Sequence, residues 1–242
     1  MIAGRVWRIA LAVVAVLALA IVVFLAYAHT VMAGERPAAL EAWRDDDVTI
    51  RQTERSFVIE PAGGASGVGL VFIPGAKVDP AAYLWKLSGI VAESGATVVI
   101  TEPTLNLAFF DFRPLSDFTD LAPEVDDWFV GGHSLGGVRA CQLAEGTDGL
   151  VLFGSYCAND LSESGLAALS ISASQDGLST PEKIDESAHL LPADTIFVVI
   201  EGGNHAGFGA YGAQAGDGEA TIPDADIRAQ ITGALGPFLQ GE

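Results

Sequence analysis

Ser134, Asp176 and His205 occur in that chain order, each just behind a short apolar run, and their side chains are the ones best placed for nucleophilic chemistry. Ser134 lies in Gly132-His133-Ser134-Leu135-Gly136, a G-x-S-x-G element that follows Phe129-Val130 and precedes a helix-like stretch to Ala144. Flanking glycines let a strand turn sharply into a helix and leave the serine hydroxyl exposed at the top of the turn. A serine hydroxyl attacks only when a base takes its proton, and an imidazole titrates in the right range to do so. Of the four histidines, His29 flanks the N-terminal apolar run, His133 is inside the turn itself and His189 lies in an amphipathic stretch. His205 alone follows a strand-like run at its carboxyl end, where a loop can reach Ser134. Asp176 closes the run ALSISASQD and can orient the imidazole and stabilise its protonated form. Asp160 and Glu201 are alternatives for that carboxylate. Taken singly, the three have plainer readings: a serine in a tight turn, a satisfied structural histidine, a turn aspartate. In the order Ser, Asp, His they point to cleavage of an ester or amide through an acyl-enzyme.

Such a reaction develops negative charge on the substrate carbonyl oxygen and needs two N–H donors for it. The amide of Leu135, next after the nucleophile, is one. The loop Pro74-Gly75-Ala76-Lys77, behind the strand-like Leu70 to Ile73, offers the other, and Ala76 is the candidate. The irregular apolar segment Thr104 to Pro123 is placed to wall a pocket. Leu105, Phe109 and Phe110 within it, with Phe208 beyond His205, are the candidate substrate contacts, although plain core packing explains the phenylalanines equally well. No group of Cys, His and Asp has metal-ligand spacing, and no glycine-rich phosphate loop precedes a helix, so neither metal nor cofactor is expected.

These residues must be held by a scaffold that the remaining sequence describes. After strand-like Val48 to Thr53 and Ser56 to Glu60, strand and helix signals alternate. Strands are expected at Leu70–Ile73, Ala96–Ile100, Asp126–Val130, Leu150–Phe153, Leu169–Ala173 and Thr195–Ile200. Helices are expected at Pro80–Ser94, Leu135–Ala144 and from about Pro223 to Leu239. That alternation predicts an α/β fold with a mainly parallel sheet and helices on both faces. Only twelve residues, Cys157 to Ala168, separate two of the later strands, too few for a lid domain with its own core.

Ile9 to Ala28 is an unbroken apolar run long enough to cross a bilayer, with Arg5 and Arg8 before it and acidic residues after it. The reading is a cytoplasmic n-region (1–8), a transmembrane signal-anchor (9–28), a linker (29–47) and one domain (48–242), with the domain outside the cytoplasm. Secretion after signal cleavage is the competing reading. A formal net charge of −19 argues against nucleic acid or anionic lipid as partners. Oligomeric state is not readable. The two cysteines, Cys141 and Cys157, are expected to be unpaired, because helical rise carries Cys141 about 10 Å below the turn at Ser134 while Cys157 belongs near the top.

From about Leu70 to Leu239 the chain resembles the α/β-hydrolase superfamily, and more narrowly small bacterial serine hydrolases similar to dienelactone hydrolases. The resemblance rests on FIPGAKVDPAAY, EPTLNLAFF, GGHSLGG, GGNHAGFGAYG and QAGDGEATI. It implies an α/β-hydrolase fold with Ser134 as nucleophile, Asp176 as acid and His205 as base, acting on a small-molecule ester. Dienelactone hydrolases carry a cysteine where this chain has Ser134, so the resemblance does not extend to that substrate. An acyltransferase using the same triad, and an interaction protein that keeps the fold without turnover, are the other functions such a chain can have.

Overall fold

The computed structural model describes residues 2–241. Eight strands form one sheet: β1 (Val48–Gln52), β2 (Ser56–Pro61), β3 (Val68–Ile73), β4 (Thr97–Thr101), β5 (Asp127–His133), β6 (Gly149–Phe153), β7 (Ala167–Ala173) and β8 (Ile196–Ile200). Their spatial order is β1-β2-β4-β3-β5-β6-β7-β8. β1 and β2 pair antiparallel, β2 is antiparallel to β4, and every pairing from β4 to β8 is parallel. The helices are α1 (Ile2–Ala28), α2 (Arg36–Trp43), α3 (Leu84–Ser94), the single turn α4 (Ser116–Thr119), α5 (Leu135–Leu143), α6 (Pro181–Ser187) and α7 (Asp224–Leu239). This is the expected α/β-hydrolase architecture, and the strands fall where the apolar runs place them.

Strand pleating sorts the core into two layers. Leu70 and Phe72 of β3 face the layer shared with α3 and α7, while Val71 and Ile73 face the layer under α5. β4 and β6 divide the same way, Val98 and Ile100 against Val99, and Val151 and Phe153 against Leu150 and Leu152. Alternate residues of a buried strand point to opposite faces, so runs apolar at every position are what a sheet covered on both sides requires. The chain leaves β3 for β4 on one side and returns to β5 on the other. The carboxyl ends of β3 and β5 therefore flank a switch point, the place where ligands bind in such sheets.

Two expectations are corrected. Residues 29–47 are no free linker. Met32 forms a parallel bridge with Val78, the Glu35 N–H donates to the Ala210 carbonyl at 2.7 Å, and α2 buries Ala42 against the domain. Pro37 does not interrupt this stretch: it sits in the first turn of α2, where a missing N–H costs no helical hydrogen bond. The cysteines are also paired: Cys141 and Cys157 form a disulfide with Cα atoms 5.6 Å apart. The drop along α5 is real, but the chain beyond β6 folds back down beside that helix, as the Asn159 Nδ2 donation to the Cys141 carbonyl shows. Four residues of extended chain span up to about 13 Å, enough to cover the descent.

Candidate active site

At the end of β5 the backbone turns into α5 through Ser134, whose φ of 52° and ψ of −123° lie in a region that non-glycine residues avoid. Close packing holds it there. A Cβ on Gly136 would overlap the Ile73 and Pro74 carbonyls, and one on Gly132 would overlap the backbone of Gly136. The first turn of α5 is thereby pressed against the end of β3 and the loop that follows it. The Ser134 N–H donates to the Phe153 carbonyl at 3.0 Å, and Ser155 Oγ donates to the Ser134 carbonyl at 2.7 Å, pinning the turn from the β6 side.

His205 and Asp176 meet beside this turn. His205 Nδ1–H donates to Asp176 Oδ2 at 2.7 Å, with both side chains almost fully buried. The other carboxylate oxygen accepts the N–H groups of Leu178 and Ser179 at 2.8 and 2.7 Å. His205 Nε2 is buried without a partner among the described residues, and Ser134, which is partly exposed, makes no side-chain hydrogen bond to it in this structure. Asp160 and Glu201 are exposed and do not reach the imidazole.

His133, inside the turn, lies with its ring centroid 4.4 Å from that of His205. Its Nδ1 pairs with the Tyr83 hydroxyl at 2.9 Å, and the same hydroxyl accepts the Gly75 N–H at 3.0 Å. Burial raises the Tyr83 pKa, so the phenol keeps its proton and donates the hydrogen bond to His133 Nδ1. Burial first, and the adjoining His205 ring second, hold the His133 pKa well below its ordinary value, against a smaller opposing effect of the His205 backbone. His133 is therefore neutral and places no positive charge beside His205.

Leu135 opens α5, and its amide is one of the N-terminal donors that a helix cannot use itself. In the loop after β3 the Gly75 N–H goes to Tyr83 and the Lys77 N–H goes to the Asn106 carbonyl at 2.7 Å. The Ala76 amide between them has no such partner among the described residues. Lys77, Leu105 and Asn106 share with Ser134 a positive φ, and these are the only non-glycine residues that do so among those described. Strained backbone of this kind collects at functional sites. Of the candidate pocket residues, Phe208 is fully buried and packs against Phe153 and His133 with ring centroids 5.6 Å away in each case. Leu105 is half-buried, and Phe109 and Phe110 lie at the surface.

One residue escaped the sequence reading. Asp217 Oδ1 accepts the N–H groups of Gly177 and His205 at 3.1 Å each, and Oδ2 accepts that of Ala206 at 2.8 Å. A single carboxylate thus joins the loop carrying Asp176 to the loop carrying His205. Its one sequence signal is an acidic residue between two glycines a short way beyond the histidine. Among the described residues no group of His, Cys, Asp and Glu is arranged to hold a metal ion.

The profile described as the alpha/beta hydrolase family matches residues 69–229. Among solved structures, the chain resembles the esterase domain of a Rhodothermus marinus protein, at 13% identity and a TM-score of 0.60 over 80% of this chain and 98% of that one. Esterase LipW from Mycobacterium marinum gives 13% identity and a TM-score of 0.61 over 85% of each chain. An alpha-beta serine hydrolase homologue from Coxiella burnetii gives 14% identity and a TM-score of 0.55 over 78% of this chain and 97% of that one. No curated protein sequence matches the chain. At such identities the structural likeness establishes the fold, and with the profile spanning more than half of its length the chain belongs to the alpha/beta hydrolase family.

Proposed function

We propose that this protein is a membrane-anchored serine hydrolase that cleaves carboxylic esters through an acyl-enzyme on Ser134. The observation that carries this reading is the buried His205–Asp176 pair, which leaves Nε2 uncommitted beside a serine held at a strained φ. In the reaction, Ser134 Oγ attacks the ester carbonyl as its proton passes to His205 Nε2, and Asp176 stabilises the imidazolium. The Leu135 and Ala76 amides receive the developing oxyanion. Collapse breaks the ester C–O bond, and the imidazolium returns its proton to the departing alcohol. Water then repeats the sequence on the acyl-enzyme and releases the acid. The serine–histidine hydrogen bond missing in the free protein belongs to the kind that tightens when substrate binds.

A 27-residue apolar helix precedes the domain, about 40 Å long at the usual helical rise, with Arg5 and Arg8 near its start. The reading is an anchor with the domain outside the cytoplasm. The Cys141–Cys157 disulfide supports that side, because such bonds persist in oxidising compartments.

A fluorophosphonate probe on wild type and Ser134→Ala tests the nucleophile, and labelling that survives the substitution ends the assignment. Esterase rates then separate the roles. Ser134→Ala and His205→Ala are expected to lose on the order of 10⁶-fold in kcat and Asp176→Asn on the order of 10⁴-fold, since the orienting carboxylate is the most dispensable member of a triad. Adding an acceptor alcohol and analysing products distinguishes hydrolysis from acyl transfer.

A further inference from the structure

The end of α1 is joined to the candidate site without slack. Ala28 is fully buried, and its carbonyl accepts from Asn106 Nδ2 at 3.1 Å. The Asn106 carbonyl accepts the Lys77 N–H at 2.7 Å, and Lys77 directly follows Ala76. Lys77 Nζ also stands 3.6 Å from the centroid of the Tyr27 ring, in the last turn of α1. Loops from the carboxyl ends of β3 and β4 thus grip the helix where it enters the domain.

Beside this joint lies an apolar surface that runs onto α1. Phe110 meets Phe24 of α1 edge-on with ring centroids 5.6 Å apart, while Phe109 is 43% and Phe112 82% exposed. The segment is held in this posture. Arg113 bonds the Asp111 carboxylate and the Glu102 carbonyl, and Arg139 bonds the Asp111 carbonyl. The rings consequently stay outside while their neighbours are fixed. A crossing takes about 20 residues. Counted back from Ala28 it begins at Ile9, just past Arg8, and it leaves Tyr27 and Lys77 at the exit, where amphipathic side chains settle at a membrane surface.

We propose that the carboxyl edge of the sheet rests on the bilayer that α1 crosses, with Phe109 and Phe112 at the boundary between headgroups and acyl chains, and that Ser134 acts on acyl esters of lipids held in that bilayer. The proposal rests on the anchored-hydrolase reading above. The occupant of the patch is lipid because the patch continues the surface of a helix whose side chains the anchored reading places among acyl chains. A lipid can leave its chain in the bilayer while its ester carbonyl, at headgroup level, reaches the amide one residue from Lys77. A formal charge of −19 disfavours anionic headgroups, so phosphatidylcholine is the fitting test surface.

The experiment uses the full-length chain in phosphatidylcholine nanodiscs. A spin label is placed at Phe112→Cys or, as control at the opposite edge of the sheet, at Glu145→Cys, the native cysteines being engaged with each other. The label at 112 should collide preferentially with oxygen, and the label at 145 with a water-soluble nickel chelate. Equal nickel access at both positions overturns the bilayer contact. Phe112→Glu should lower turnover of a long-chain fluorogenic ester embedded in the discs at least tenfold while leaving a soluble butyrate ester unaffected. An unchanged rate on the embedded ester overturns the substrate class. If the label at 112 is shielded yet wild type cleaves neither ester and takes no fluorophosphonate, the hydrolase reading falls and the bilayer contact stands.

Discussion

At the level of single residues, Asp217 and His133 carry consequences beyond Ser134, Asp176 and His205. Asp217→Asn replaces an accepting oxygen by an NH2 group that cannot accept, leaving at least one of the amides of Gly177, His205 and Ala206 unmet. A buried donor without a partner costs about 1–3 kcal/mol, measurable by urea unfolding. Because the carboxylate spans the loops carrying Asp176 and His205, kcat of the proposed hydrolysis should fall with KM nearly unchanged; a variant with lower stability but wild-type kcat would reduce Asp217 to a purely structural role. His133 makes a prediction in pH. Its folded pKa is depressed, so above about 6.5 neither state binds the proton, and below it the unfolded chain binds one that the folded protein refuses. Stability should therefore fall as pH drops below about 6.5, by at most about 1.4 kcal/mol per unit from this residue. Urea titrations at several pH values on wild type and His133→Gln check it, since the variant should show the shallower slope. The sequence displayed Ser134, Asp176 and His205 because each stands directly behind a strand. Asp217 stayed hidden because its role depends on two loops meeting in space.

At the level of elements, apolar runs read correctly wherever packing demanded them, as in β3, β4 and β6, whose residues are buried on both faces. The errors lay in how the chain travels between elements. Residues 29–47 read as a linker although Pro37 opens a helix there, and the descent of the β6 loop toward Cys141 leaves no trace in spacing. That descent makes the disulfide a tie between the helix behind Ser134 and the strand that pins its turn. A bridge closing a loop of this length contributes about 3 kcal/mol. Cys141→Ala/Cys157→Ala, or reduction of the native protein, should lower unfolding stability by about that amount, read from denaturant midpoints with and without reductant. An unchanged midpoint would mean that the tie adds nothing to the packing of Cys141 and Cys157 in the core.

At the scale of the whole molecule, the charge pattern around α1 predicts orientation. Protease added to intact cells should digest the domain, and protection that disappears on lysis would reverse the topology. A mature N-terminus near His29 or Gly34 would replace the anchor by a cleaved signal. The sequence announced the helix but not its attachment, since hydrogen bonds from Asn106 to Ala28 and from Met32 to Lys77 join positions far apart in the chain. The attachment has one further consequence. If α1 crosses the bilayer as proposed, its apolar stretch from Ile9 to Ala28, about 30 Å long, matches a hydrocarbon core about 30 Å thick, and in a thinner bilayer such a helix answers the mismatch by tilting. Here α1 enters the domain without a stalk, so in the anchored protein any such tilt would be passed to the sheet, and bilayer thickness would set the angle at which Ser134 is presented.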